Sequence, residues 1–328
     1  MEKGETAMSC KTILWSLMVC GGLLLLGSLS AFGQQWEPLP PEKRCPSPWG
    51  AHDERGAANH IKPATVLKGL RLVKEGKMYE LGRVLEPAMP TFGTRRFGIH
   101  TARSSGPTGT NQIRGNEELV VTELGQVGTQ FDALPHIAIS DMLYNCVKTD
   151  EVATRSGFTK LGVEKVGGIV TRGVLLDVAA VKSVEMLEGG YEITVADLEE
   201  AMKRQGVTIG AGDAVLIHTG WGKLWMKDNA KYNSGQPGIG IAAGEWLAKA
   251  NLILVGSDNW GIEVRPHPNK DLAFPVHQIL VTTHGIFLLE NLDLDALARD
   301  KVSEFAFVVL PLKIKGGTGS TVAPIAMK

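Results

Sequence analysis

The second half of the chain alternates short apolar runs with amphipathic segments, and this alternation constrains the fold more than any other feature. The predicted strands are 173–179, 213–220, 252–259 and a run that ends at Glu290. The predicted helices are 194–206, 241–251 and a short one that begins at 276. Thr194 and Asp197 have capping-box spacing, and Gly206 is a typical helix stop. Strands that alternate with helices predict an α/β fold with a sheet-rich core flanked by helices.

The first half contains fewer regular patterns. A helix is predicted at 64–76 and a strand at 78–86. Residues 91–118 are rich in Gly, Ser, Thr and Arg and predict a long mobile loop, and loops of this length are usually functional or disordered. No change in composition marks a linker, so 49–328 is predicted to be one domain that follows a Pro-rich extended arm at 34–48. A formal net charge of -1 argues against a nucleic-acid partner.

The N-terminal segment is typical of a secretory signal peptide. Two lysines precede an uncharged run from Thr12 to Gly33, in which Ala31 and Gly33 have cleavage-type spacing. We therefore predict a signal peptide at 1–33 and export to the periplasm or the outside. An uncleaved membrane anchor is the alternative, because about 20 apolar residues can span a bilayer. Beyond this leader no membrane contact is expected.

The mature chain retains two cysteines, Cys45 and Cys146. They can pair in an oxidising compartment or remain as two unpaired thiols, and we favour the unpaired thiols. Two cysteines are too few for a metal site built from cysteine alone.

The stretch "LGQVGTQFDALPHI", residues 124–137, concentrates metal-binding chemistry. It carries Gln126, Gln130, Asp132 and His136 around a Gly-Thr pair where the chain can turn. Asp132 offers a hard oxygen ligand, and His136 offers a nitrogen ligand or a general base. Glutamine oxygens are neutral and bind metals more weakly.

Two later stretches carry further candidates. The stretch "GSDNWGIEVRPHP" contains Asp258, Glu263, Arg265 and His267. His277 and Glu290 are thirteen positions apart, and neighbouring elements can bring them together to complete a divalent site with Asp132. Each histidine taken singly is more often a hydrogen-bonded surface or core residue than a ligand. The same holds for Asp177 and His218, which occupy predicted strands.

Several stretches together resemble the metal-dependent cyclase/hydrolase family, which includes bacterial kynurenine formamidase and isatin hydrolase. They are "WGAHDERGAANHI", "GQVGTQFDALPHI", "TRGVLLDVA", "AVLIHTGWG", "GSDNWGIEV" and "FPVHQILVTTHGIFLLENLDL". They occur in the family's order from Trp49 to about Asp295. The resemblance implies a swivelling β/β/α fold, usually in oligomers, so a homo-oligomer is expected.

The family signature H-x-G-T-H-x-D-x-P-x-H is altered in this chain. Its two metal-binding histidines fall on Gln126 and Gln130, its aspartate falls on Asp132, and its last histidine, the acid/base residue, falls on His136. The proline is displaced by one position. The loss of two imidazoles should weaken the first metal position severely. Because both replacements are polar and the turn between them is intact, we interpret the site as rebuilt rather than dead.

The resemblance also implies a second metal position, at which Asp132 would be joined by His277 and Glu290. With His136 they would hold one divalent ion, Zn or Mn. Whether Gln126 and Gln130 ligate it stays open. Trp260 is expected in the pocket wall, and three basic residues of the long loop are candidates for contact with substrate, namely Arg95, Arg96 and His100.

The implied activity is hydrolysis of an amide, lactam or lactone bond in a small aromatic or cyclic molecule, and arylformamidase is the nearest named reaction. In that mechanism His136 would accept the water proton and return it to the leaving group. A cyclase or lyase acting on a carbonyl compound remains an alternative. A non-catalytic exported protein that binds a small molecule is another.

Overall fold

The computed structural model describes residues 36–104 and 106–328, and Pro38–Lys328 form one compact unit. The signal peptide predicted at 1–33 lies outside the described residues. Within the described part, no helix is long and apolar enough to cross a bilayer.

The strands of this part of the chain are β1 (Met78–Glu80), β2 (Phe97–Arg103), β3 (Asn116–Thr122), β4 (Gln130–Asp132), β5 (Ala153–Thr154), β6 (Gly157–Phe158), β7 (Ile169–Asp177), β8 (Glu192–Ile193), β9 (Ala214–His218), β10 (Gly238–Ile239), β11 (Leu254–Ser257), β12 (Phe287–Glu290), β13 (Glu304–Val309), β14 (Gly319–Thr321) and β15 (Ile325–Met327). The α-helices are α1 (Pro41–Arg44), α2 (Pro63–Leu70), α3 (Thr149–Val152), α4 (Val178–Val181), α5 (Val195–Gln205), α6 (Asn229–Ser234), α7 (Ile241–Lys249), α8 (Pro275–His277) and α9 (Asp295–Arg299). A π-helical turn, Gln278–Thr283, continues α8, and 3₁₀ turns lie at Gly56–His60, Tyr144–Cys146, Val163–Lys165 and Trp221–Leu224.

One large mixed sheet organises the fold. Among the described residues its strand order is β1-β15-β13-β7-β9-β11-β12-β4-β14. The four central strands β7, β9, β11 and β12 are parallel, and the outer strands on both sides run antiparallel to their neighbours. The central strands consist almost wholly of buried apolar residues, as expected for parallel strands covered on both faces. The predicted α/β class, with a sheet-rich core flanked by helices, is confirmed.

Helices pack closely on this sheet. A Cβ atom at Gly69 in α2 would lie 2.5 Å from the backbone of Thr171 in β7, so only glycine permits this approach. Helix α5 begins at the predicted capping box, where Thr194 and Asp197 exchange side-chain to backbone hydrogen bonds. It ends at Gly206, whose φ of 65° is left-handed. The predictions for α5 and α7 are therefore confirmed to within two residues.

The prediction of a long loop at 91–118 is wrong in part. Strands β2 and β3 form an antiparallel ribbon from Phe97 opposite Thr122 to Arg103 opposite Asn116. Both strands are exposed along most of their length. Because neither face is buried, the sequence lacks the alternation of apolar and polar residues by which a strand is usually recognised.

Other element boundaries also differ from the predictions. Helix α2 ends at Leu70 rather than Gly76, and the backbone N–H groups of Glu75 and Lys77 bond to the carbonyl of Lys328 instead of continuing the helix. The arm is not extended throughout, since Pro41–Arg44 form one helical turn.

Cys45 and Cys146 form a disulfide, with Cα atoms 6.0 Å apart, so the preference for unpaired thiols is wrong. The two residues are separated by 101 positions, and their contact depends on tertiary structure that spacing does not reveal. A hydrogen bond from the Ser47 N–H to the Asn145 side chain, 2.8 Å long, joins the same two segments.

Candidate metal centre and active site

Strand β4 carries the centre of the site and lies between β12 and β14. Gln130 lies opposite Glu290 in the β4–β12 ladder. The turn before β4 has Gly128 at φ 68°, and a side chain at this glycine would collide with Leu85. The turn brings Gln126 back beside Asp132, so side chains four to ten positions apart meet in one place.

The two glutamines bond to the carboxylates through their amide nitrogens. Gln126 Nε2 lies 2.6 Å from Asp132 Oδ1, and because a carboxylate oxygen only accepts, the atom facing it is the NH₂ group. Gln130 Nε2 donates to Glu290 Oε2 and also to Gln126 Oε1, the latter at 3.3 Å. Each glutamine therefore satisfies one oxygen of one carboxylate.

His277 stands between the two carboxylates. Its Nδ1 lies 2.6 Å from Glu263 Oε1, and its backbone N–H donates to the same oxygen at 3.1 Å. Its Nε2 lies 3.9 Å from Asp132 Oδ2 and 3.4 Å from Glu290 Oε1. Glu263 thus fixes the ring through Nδ1, and Nε2 points towards the carboxylates of Asp132 and Glu290.

Burial and neighbouring charge shift the pKa values of this cluster. Burial alone would lower the pKa of His277, but its hydrogen bond to Glu263 and the nearby carboxylate of Glu290 outweigh burial and raise that pKa to about 10. Burial and the nearby charge of Asp132 raise the pKa of Glu290 to about 7, against the opposing effect of His277. The cluster has a surplus of negative charge that favours a bound cation.

Two oxygens in the cluster have no hydrogen-bond partner. Among the described residues, Asp132 Oδ2 and Glu290 Oε1 are buried and accept no hydrogen bond, and both lie within ion-pair distance of His277 Nε2. Unpaired buried carboxylate oxygens are costly unless a cation binds them. Ligand atoms of Asp132, His136 and His277 also lie within 4.8 Å of one another. The donor set of carboxylate oxygens and imidazole nitrogen fits a divalent ion such as Zn²⁺ or Mn²⁺.

His136 borders the same cluster. Its Nε2 lies 3.7 Å from Asp132 Oδ2, and its Nδ1 lies 3.2 Å from Gln126 Nε2. Burial lowers the pKa of His136, and this outweighs the opposing effect of Asp132.

A cavity of about 150 Å³ opens onto these groups. Part of its wall is aromatic: Phe92 and Trp260 stack with ring centroids 4.3 Å apart, and Phe274 lies edge-on to His277 at 5.2 Å. The Arg95 guanidinium lies over the Phe92 ring, 5.5 Å from its centroid. A cavity of this size and lining accommodates one aromatic ring.

The structure gathers most of the residues proposed from sequence around this cavity. Six lie in the cluster and two in the wall, namely Gln126, Gln130, Asp132, His136, His277, Glu290, Arg95 and Trp260. Arg96 and His100 do not line the cavity: the Arg96 backbone N–H donates to Glu123, and His100 is exposed on β2. Sequence reasoning did not assign a role to Glu263, although a glutamate flanked by Ile262 and Val264 is an unusual charge in a buried setting.

Several other candidate residues form a separate network. His218 Nδ1 lies 2.8 Å from Asp177 Oδ1, and its Nε2 lies 3.2 Å from Asp295 Oδ1. Asp258 accepts the backbone N–H groups of Thr219 and Gly220. Burial alone would lower the pKa of His218, but its hydrogen bonds to Asp177 and Asp295 raise it to about 10. These groups do not line the cavity, and they hold β7, β9 and α9 together.

Comparison with known proteins adds four similarities. A family model described as "Putative cyclase" matches residues 79–264. Isatin hydrolase from Roseibium aggregatum is 28% identical over 141 residues, which are 41% of this chain and 52% of that protein. The matched region thus spans about half the length of that relative.

Two solved structures share the fold. One, of a novel cyclase, is 33% identical with a TM-score of 0.77, over 85% of this chain and 98% of the other. Isatin hydrolase A from Labrenzia aggregata, bound to benzyl benzoate, is 22% identical with a TM-score of 0.58, over 76% of this chain and 93% of the other.

Proposed function

The chain belongs to the cyclase family, and on that basis we propose that it is a metal-dependent hydrolase of an amide, lactam or lactone bond in a small aromatic or cyclic molecule. The similarity to isatin hydrolase supports hydrolysis as the reaction class. The observation that carries the proposal is a pair of buried oxygens, Asp132 Oδ2 and Glu290 Oε1, that accept no hydrogen bond from the described residues and face His277 Nε2 beside a cavity with aromatic side chains in its wall.

Asp132, His277 and Glu290 are the residues that would hold a Zn or Mn ion. Such an ion supplies Lewis-acid polarisation of the scissile carbonyl and lowers the pKa of water. Glu263 fixes the His277 ring through Nδ1, so that Nε2 is the nitrogen left to face the ion. Gln126 donates to Asp132 Oδ1 and Gln130 donates to Glu290 Oε2. These hydrogen bonds orient the other oxygen of each carboxylate towards His277 Nε2.

The aromatic wall selects and positions the substrate. Phe92, Trp260 and Phe274 present ring faces and edges around the cavity, which favours a planar ring beside them. Arg95 lies in the same wall and can meet a carbonyl or carboxylate oxygen of the substrate. His136 lies in the wall beside Asp132, where it would contact the reacting group of the substrate.

A hydrolysis panel tests this proposal. The mature protein, stripped of metal and reloaded with Zn or Mn, would be offered N-formyl anilines, cyclic imides and lactones. We expect metal-dependent turnover of at least one class, with an arylformamide as the first candidate, and loss of turnover in Asp132→Ala. His52→Ala, at an exposed histidine, is the matched control and should retain full activity.

Mass spectrometry of the product separates hydrolysis from its alternatives. Hydrolysis adds the mass of water, whereas cyclisation by isomerisation leaves the mass unchanged. A product without added water would establish the cyclase alternative. No turnover and no bound metal after reloading would establish the non-catalytic binding protein.

We also propose that the protein acts outside the cytoplasm. The Cys45–Cys146 disulfide supports this location, because disulfides persist mainly in oxidising compartments. Cell fractionation with intact-mass measurement tests it. A chain that is recovered from the cytoplasm with its leader intact would contradict the proposal.

A further inference from the structure

Gln126 contacts two groups of the site with one atom. Its Nε2 lies 2.6 Å from Asp132 Oδ1 and 3.2 Å from His136 Nδ1. The carboxylate fixes the orientation of the amide, since an oxygen placed at 2.6 Å from Asp132 Oδ1 would face a second acceptor. One amide hydrogen therefore points to Asp132, and the other is available to His136.

This arrangement determines where the His136 ring carries its proton. A donor that faces Nδ1 requires a lone pair on that nitrogen, so Nδ1 has no hydrogen. The single ring proton then lies on Nε2, the nitrogen on the side of Asp132 Oδ2. A protonated Nε2 has no lone pair with which to bind a metal ion or to accept a proton from water.

We propose that Gln126 is a positioning residue that fixes His136 as a neutral hydrogen-bond donor, through Nε2–H, to the carbonyl oxygen of the substrate. His136 is then neither a ligand nor the general base, and its N–H stabilises the negative charge that develops on that oxygen. The assignment of this oxygen rests on the proposed hydrolysis, whereas the position of the ring proton does not.

Nitrogen NMR of the histidine rings tests the ring proton directly. The Zn-loaded mature protein, labelled with ¹⁵N-histidine, would be measured without substrate, and the His136 signals identified by their absence in His136→Asn. We expect a bare Nδ1 and a protonated Nε2. The Gln126→Met variant, which lacks the amide donor, should show a mixture of both tautomers. Gln112→Met, in the exposed turn between β2 and β3, should leave the signals unchanged. A bare or zinc-bound Nε2 in the unaltered protein would overturn the proposal.

Kinetic rescue tests the donor role. His136→Ala should lower kcat by about 100- to 1,000-fold, as the loss of one oxyanion donor does. The kcat of His136→Gln should be at least about tenfold higher than that of His136→Ala, because a glutamine amide donates a hydrogen bond but cannot act as a base. Equal rates for the two variants would contradict the donor role. If no substrate is hydrolysed at all while the expected tautomer is seen, the proposed function fails and the role of Gln126 stands.

Discussion

Glu263 accepts a hydrogen bond from His277 Nδ1 at 2.6 Å, and both side chains are buried. The same carboxylate accepts the backbone N–H groups of Val276 and His277, so it anchors the N-terminal turn of α8 as well as the ring. This geometry directs His277 Nε2 towards Asp132 and Glu290, where a metal ion would take the place of its proton.

Replacing Glu263 with glutamine should weaken metal binding. The Glu263 carboxylate accepts three hydrogen bonds on its two oxygens, from the backbone N–H groups of Val276 and His277 and from His277 Nδ1. A glutamine side chain has only one oxygen, so its NH₂ group would face at least one of these donors. We expect the Zn dissociation constant to rise by about 10- to 100-fold, as for other residues that orient a metal-binding histidine. Isothermal titration of the metal-free protein measures it. Glu199→Gln, at an exposed position of α5, is the matched control, and an unchanged constant in E263Q would contradict the role of Glu263.

The site should bind one ion per chain. The amide NH₂ groups of Gln126 and Gln130 occupy Asp132 Oδ1 and Glu290 Oε2, so each carboxylate has one oxygen left for a cation. Elemental analysis after dialysis against Zn should therefore find about one ion, and the double variant Q126H/Q130H, with two added imidazole ligands, about two. Manganese EPR should show isolated ions in the unaltered protein and coupled pairs in the variant.

Two ions in the unaltered protein would refute this prediction. One ion per chain in the double variant would show that the glutamines do not determine how many metal ions bind. Gln112→His, in the exposed turn between β2 and β3, controls for the binding of metal to an added surface histidine.

Much of the fold follows from local sequence patterns, but the chemistry of the site depends on contacts between distant residues. Helix α5 is predictable because Thr194, Asp197 and Gly206 act within their own segment. The hydrogen bond between Glu263 and His277 depends on the tertiary arrangement, and no spacing rule reveals it. The amide orientation of Gln126 likewise depends on the carboxylate that faces it in the folded chain.

His218 should make stability depend on pH. Its pKa of about 10 in the folded protein exceeds the ordinary value of 6.5, so the folded state binds the proton more tightly than the unfolded state. The stabilisation is complete below about pH 6.5 and is lost as the pH rises to about 10.

The variant His218→Asn keeps a hydrogen-bond donor near Asp177 but removes the charge. We expect its free energy of unfolding to be lower by about 3 kcal/mol at about pH 6, as for a broken buried ion pair, and the difference to shrink towards pH 10. Urea unfolding across this range measures it, with His52→Asn as a control. A difference that is constant with pH would exclude the linkage.

Removal of the disulfide should destabilise the mature protein. The bridge joins residues 101 positions apart and so restricts the unfolded chain strongly. We expect C45S/C146S to lower the free energy of unfolding by about 2–5 kcal/mol in urea. A thiol reductant should lower the stability of the unaltered protein to the same value and leave the variant unaffected. Equal stability of the oxidised protein and the variant would show that the bridge contributes nothing.

The position of β4 has a consequence for the order of folding. Strand β4 is enclosed by β12 and β14, and Gln130 meets a partner, Glu290, that follows it by 160 residues. Closing loops of this length costs chain entropy before any contact offsets it, so such pairings form late. During refolding, ion uptake should therefore lag behind burial of the central strands. A chain released before β12 is made would hold Asp132 and His136 but lack Glu290, so metal binding would show that synthesis has passed β12.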